Sequence, residues 1–125
     1  MTVGGMTVRA NLDGGDILIV DDDGDIRDSL ASLLEMRGYR VRTCANGREA
    51  VAAIERNRPA LVLLDLMMPV MSGWEVVDWV KRYKVISIER VLVMSAGVDV
   101  ANGVAVVHKP FDLDQILQTI RASLQ

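Results

Sequence analysis

What the sequence lacks narrows its class early. It has one cysteine, Cys44, in 125 residues, so an internal disulfide is excluded and a reducing compartment is expected. It has no apolar run long enough to span a membrane, and no membrane partner is expected. It has no massed basic stripe either: 14 Lys and Arg residues are scattered among 17 acidic ones, for a net charge of −3. That balance argues against nucleic acid as a partner. The opening MTVGGMTVRANLDGG has neither the apolar centre nor the small-residue cleavage site of an export signal. Residues 1–15 therefore read as a flexible N-terminal segment, and the cytoplasm is the expected location.

Half of the residues are apolar, which at this length supports one core and one domain, expected over residues 16–125. Ile17–Val20 is short, aliphatic and free of polar residues, as suits a strand buried on both faces of a parallel sheet. Ile26, Leu30, Leu33 and Leu34 then recur at helical spacing, with Gly38 as the stop. Arg40–Cys44 alternates like an edge strand, and Arg48–Arg56 returns to helix-forming composition before Pro59. Leu61–Leu64, Val91–Met94 and Val104–Val107 are three further apolar strands. Between the first two, Trp74–Tyr83 reads as a helix with Trp74, Val77 and Val80 or Lys81 on its stripe, and Lys81–Arg90 as a solvated connection. The closing helix carries Leu113, Ile116, Leu117, Ile120 and Leu124 on one face, and Asp112 with Gln115 has the form of a capping box.

Strands alternating with helices imply an α/β fold whose parallel sheet is covered on both faces, with functional groups at the C-terminal ends of the strands. The polar residues follow that rule. Asp21 and Asp22 follow the first strand, Asp65 the third, Ser95 the fourth and Lys109 the fifth. The run Asp21-Asp22-Asp23 stands out, because each carboxylate raises the electrostatic cost of ionising its neighbours unless a cation sits among them.

Three chemistries compete for these aspartates. Asp21, Asp23 and Asp25 have the alternation of a calcium loop, but Ile26 stands where the turn glycine belongs and Ser32 where a closing Glu belongs. Asp-x-Asp-Gly behind a strand resembles the nucleophile motif of haloacid dehalogenase-like phosphatases, with Asp21 attacking phosphate and Asp23 as acid/base. In that reading Asp65 has no role and no adjacent Asp pair follows Lys109. The third reading uses every group on the rim. LIVDDDGDIRDSL, LVLLDLMMPVMSGWE, VLVMSA and VVHKPF, in that order, resemble the receiver domain of two-component response regulators over about Asp16 to Leu124.

That resemblance implies a doubly wound, flavodoxin-like fold with strand order 2-1-3-4-5. It implies that Asp65 accepts a phosphoryl group from a sensor histidine kinase or a phosphotransfer protein. Asp21, Asp22, Asp65 and the backbone carbonyl of Met67 would hold Mg²⁺. Ser95, the backbone N–H of Ala96 and Lys109 would bind the phosphoryl oxygens. It makes the chain a signalling phosphoacceptor, not a conventional enzyme, either standing alone or as the receiver portion of a longer protein, of open oligomeric state. A receiver fold that is never phosphorylated and serves only as an interaction module is the remaining alternative.

Several residues carry only structural expectations. Asp23 is assigned to the helix start, Gly73 to a positive φ in the turn after Asp65, and Trp74 and Trp79 to packing. His108, the only histidine, is expected to point away from Lys109 on an alternating strand. Two departures from the family pattern matter. Val106 stands where the family commonly has Tyr or Phe, and the segment between Ser95 and the fifth strand is so short and poor in helix formers that the fourth helix is expected to be shortened or absent.

Overall fold

The computed structural model describes residues 15–95, 104–108 and 113–123. Five strands, β1 (Ile17–Val20), β2 (Val41–Cys44), β3 (Leu61–Asp65), β4 (Val91–Ser95) and β5 (Ala105–His108), form one sheet in the order β2-β1-β3-β4-β5. All four pairings are parallel. Four α-helices lie among the described residues: α1 (Gly24–Met36), α2 (Gly47–Arg56), α3 (Gly73–Tyr83) and α4 (Leu113–Ser123). The parallel sheet is the one expected from the alternation of strands and helices, and its order is the doubly wound, flavodoxin-like one that the resemblance implies.

Alternation along each strand divides the core in two. Leu18, Val20, Val62, Leu64, Val91 and Val93 pack with α2 and α3, through residues such as Ile54, Val76 and Val80. Ile17, Ile19, Leu61, Leu63, Leu92 and Met94 pack on the opposite face against Leu30 and Leu34 of α1 and Ile116, Leu117 and Ile120 of α4. β1 and β3 are wholly buried, so the short apolar runs are explained by having a helix layer on each side.

Local signals set the helix ends. Asp23 caps α1, its Oδ1 accepting from the N–H groups of Asp25 and Ile26 at 3.0 and 3.2 Å. After the helix Gly38 takes a φ of 93°, a left-handed stop. α3 opens with a full capping box between Ser72 and Glu75.

Four expectations change. β5 runs Ala105–His108, one residue later than Val104–Val107, in the register Leu92↔Ala105 to Ser95↔His108. The buried stripe of α3 is Gly73, Val76, Val77 and Val80, because 3.6 residues per turn bring those four to one side; Trp74 is 36% exposed and Lys81 is exposed. Lys81–Arg90 is more than a solvated connection: Ile86 is buried, Ile88–Arg90 forms a 3₁₀ turn, and Arg90 donates to the Ala60 carbonyl at 2.9 Å. Gly73 has no positive φ; its role is close packing, described below. The N-terminal segment 1–14, the shortened fourth helix (96–103) and the capping pair at Asp112 fall outside the described residues.

The edge strand is clamped by Arg42. Its guanidinium binds both carboxylate oxygens of Asp16, at the entrance to β1, and the carbonyls of Ala53 and Asn57 at 3.1 and 2.7 Å at the end of α2. The side chains are part-exposed, so most of the benefit lies in the hydrogen bonds and not in the net charge pairing. Arg42→Met is expected to lower the unfolding free energy by about 1–3 kcal/mol, read as a lower urea midpoint at unchanged slope.

Cys44, at the end of β2, is buried. Burial first, and the charge of Glu49 second, push its thiol above the ordinary value. The native state thus keeps a proton that the unfolded chain releases. The resulting stability is complete below the ordinary thiol pKa and is lost as pH rises through the raised one. Urea midpoints should therefore fall more steeply on the alkaline side for wild type than for Cys44→Ala.

Candidate functional site

The register of the sheet brings the acidic residues together. Val20 pairs with Leu64, so the next residues, Asp21 and Asp65, leave neighbouring strands side by side at the C-terminal rim. Asp21 is fully buried, Asp65 is 4% exposed and Asp22 is exposed. One carboxylate oxygen from each of these three lies within 4.8 Å of the others. Ser95 is buried at the end of β4, beside Asp65, where the Leu66 N–H donates to the Met94 carbonyl at 3.3 Å. The Met67 backbone also belongs here, its N–H donating to Asp65 Oδ1 at 3.3 Å.

The β1–α1 turn is closely held. The Asp21 N–H donates to the Cys44 carbonyl at 3.2 Å, and Asp21 Oδ1 accepts from the Asp23 N–H at 2.9 Å. Arg27, in the first turn of α1, donates from Nη1 to the Asp21 carbonyl at 2.8 Å. The third aspartate of the run thus serves the helix as a cap while the first two face the rim.

Two glycines hold the loop after Asp65. A Cβ on Gly73 would lie 2.4 Å from the Asp65 carbonyl oxygen and 2.6 Å from Leu66 Cα. A Cβ on Gly47 would lie 2.4 Å from the Met71 carbonyl oxygen, which accepts from the Gly47 N–H at 3.1 Å. The positive φ expected in this loop falls instead on Val70, at 72°. The stretch after Asp65 exposes apolar side chains at Met67, Val70 and Trp74, the first two 75% and 66% exposed.

The cluster suits a small hard cation. The donors are carboxylate oxygens gathered within 4.8 Å of one another, the ligand chemistry that a hard cation such as Mg²⁺ would take. Asp21, Asp22, Asp65, Ser95 and the Met67 backbone are thus found on one rim. Lys109 and Ala96 lie outside the described residues, as do the details of the His108 side chain. Val106 is half-buried against the α2–α3 side of the core.

Sequence reasoning missed Arg27 and misassigned Gly73. For Arg27 a signal existed: a cation in the first turn of a helix opposes the macrodipole and needs a compensating partner. For Gly73 there was none, since a close approach between loop and helix is set by tertiary packing.

Comparison with known proteins gives a consistent result. The model of the family described as response regulator receiver domain matches residues 17–121. Response regulator MprA of Mycolicibacterium vanbaalenii is 37% identical over 117 residues, covering 87% of this chain; the chain spans 50% of that relative's length. Sporulation initiation phosphotransferase F of Bacillus subtilis is 38% identical, with 86% of this chain and 92% of the relative covered. Among solved structures, chemotaxis response regulator CheY4 of Vibrio cholerae superposes with a TM-score of 0.79 at 30% identity, over 87% of this chain and 98% of that one.

Gly73→Ala and Gly47→Ala are each expected to destabilise the fold by about 1–3 kcal/mol, since backbone atoms must move to admit the methyl group. Chemical denaturation measures the loss. In Gly73→Ala the amide resonances of Asp65–Met67 should shift while those of the Arg42 clamp stay in place.

Proposed function

The chain belongs to the response regulator receiver domain family, and from that premise we propose that it is a signalling phosphoacceptor that takes a phosphoryl group from the phosphohistidine of a sensor kinase or phosphotransfer protein onto Asp65. The observation that carries this reading is the set of three carboxylates, Asp21, Asp22 and Asp65, gathered within 4.8 Å at the end of two central strands. A cytoplasmic setting follows from that partner. Among the described residues no helix is long and apolar enough to cross a membrane.

Asp65 supplies the attacking oxygen. A new O–P bond forms, the P–N bond to the donor imidazole breaks, and the imidazole leaves with the electron pair. Such transfers depend on alignment and charge neutralisation more than on covalent help. Asp21, Asp22, Asp65 and the Met67 carbonyl would hold Mg²⁺, whose positive charge offsets that of the carboxylates and the phosphoryl oxygens. The Ser95 hydroxyl and the Ala96 N–H donate hydrogen bonds to those oxygens, and the Lys109 ammonium balances their charge. Water later cleaves the acyl phosphate, so the signal ends without a separate catalytic group.

Phosphorylation places about −1.5 to −2 charges beside Ser95, whose hydroxyl turns inward to meet them. With Val106 in the position commonly held by an aromatic, no ring is available to swing into the space released. The response is then read out mainly by order in the segment 97–103 between β4 and β5.

Incubation with Mg²⁺ and a small phosphodonor, followed by intact-mass measurement, tests the assignment. Wild type should gain one phosphate and Asp65→Asn none. Phosphate on Asp21, or unaltered labelling of Asp65→Asn, would overturn it. The metal assignment predicts a second contrast. Asp22→Ala should abolish the Mg²⁺-dependent change in Trp74 fluorescence, whereas Asp23→Ala should keep most of it while losing about 1 kcal/mol of stability as a missing helix cap.

A further inference from the structure

We propose that Arg27 is a positioning residue for the divalent-cation site, holding the peptide that links Asp21 to Asp22; the proposal rests on reading the acidic cluster as that site. The Asp21 carbonyl and the Asp22 N–H belong to one rigid peptide plane, so whatever fixes the carbonyl also fixes the point from which the Asp22 side chain departs. Asp21 itself is secured through its N–H, on the Cys44 carbonyl, and through its carboxylate, on the Asp23 N–H. Asp22 is exposed, and no hydrogen bond among the described residues holds it. Its backbone is therefore held through its two flanking peptides: the following one by the Asp23 N–H on Asp21 Oδ1, and the preceding one by the 2.8 Å bond from Arg27 Nη1 to the Asp21 carbonyl.

The surroundings are shaped for this contact. Arg27 reaches back along the first turn of α1, and its Nη2 lies 3.4 Å from the place a Cβ on Gly24 would occupy, so the guanidinium lies across a residue with no side chain. A second bond closes the same turn, from the Arg27 N–H to the Asp23 carbonyl at 2.9 Å. The position is a poor one for a cation on dipole grounds alone, and the side chain gains a carbonyl acceptor there in return.

Positioning and simple electrostatics predict opposite signs. A positive charge beside three carboxylates repels Mg²⁺, so if charge were its only influence, removing it would tighten binding. If Arg27 acts by positioning, removing it weakens binding. The experiment is a titration of the full chain with MgCl₂, followed by the amide resonances of Asp21–Gly24, for wild type, Arg27→Met and Arg27→Lys. Arg27→Met keeps the length of the stem and loses every donor; its dissociation constant for Mg²⁺ should rise about tenfold, the worth of one charge-assisted hydrogen bond. Arg27→Lys keeps a donor on a shorter reach and should lose about threefold, and it carries the test alone if the Met variant does not fold. Even without metal, the Asp22 amide should shift in Arg27→Met. Unchanged or tighter binding by a folded Met or Lys variant would overturn the role of Arg27 while leaving the site intact. No saturable binding by wild type would overturn the cation-site reading, and this assignment with it.

Discussion

Two carboxylates, Asp21 and Asp65, stand next to each other almost entirely out of water, with the exposed Asp22 at their edge. Like charges removed from solvent are costly to hold together, and keeping them at a fixed separation calls for a scaffold that stays rigid around them. The architecture can be understood from that requirement. Both residues extend strands buried on each face, β1 and β3, which pair directly with each other and are flanked by β2 and β4. A collapse that would merge or separate the charges would have to break paired backbone in the middle of the sheet.

Among the described residues, the loops after β1 and β3 are tied to neighbouring backbone at the rim. Hydrogen bonds from Asp23 and Arg27 close the turn after β1, and Gly47 and Gly73 let the loop after β3 lie directly on neighbouring backbone. The small residues are as necessary to the site as the charged ones, because the acidic groups keep their separation only if Met71 and Leu66 can approach that closely. The exposed Met67 and Val70 sit on this anchored loop and present apolar surface from a fixed base.

The two-layer cover and the assembly of Asp21, Asp22, Asp65 and Ser95 on one rim were legible because each depends on local pattern: short aliphatic runs for doubly covered strands, and polar residues at their ends; the strand order came only with the family resemblance. Asp23 was legible for the same reason, since a helix cap is a local device. Features set by distant parts of the chain were hidden. Nothing near Gly73 in the sequence reveals that the Asp65 carbonyl lies against it, and the positive φ was sought at a glycine when Val70 carries it. The stripe of α3 was misjudged by one position because Trp74 is apolar, yet it lies off the side that faces the sheet. Arg42, with its four hydrogen bonds to Asp16, Ala53 and Asn57, reads in the sequence as an ordinary polar residue of an edge strand.

The place of β1 within the sheet also bears on how the chain emerges during synthesis. β1 is made first, yet its partners β2 and β3 are complete only after Cys44 and Asp65. Until then Ile17–Val20 is a strand with two open edges and an entirely apolar sequence, a pairing hazard for any other nascent chain. α1 follows directly and can shelter one face through Leu30 and Leu34. The other face waits for α2 and α3. The acidic turn that later serves the rim stands between β1 and α1, and its three adjacent carboxylates place like charge at the end of the exposed strand. Charge at that point discourages edge-to-edge association, so the residues that make the mature site demanding to hold also guard the least protected segment while the sheet is still unfinished.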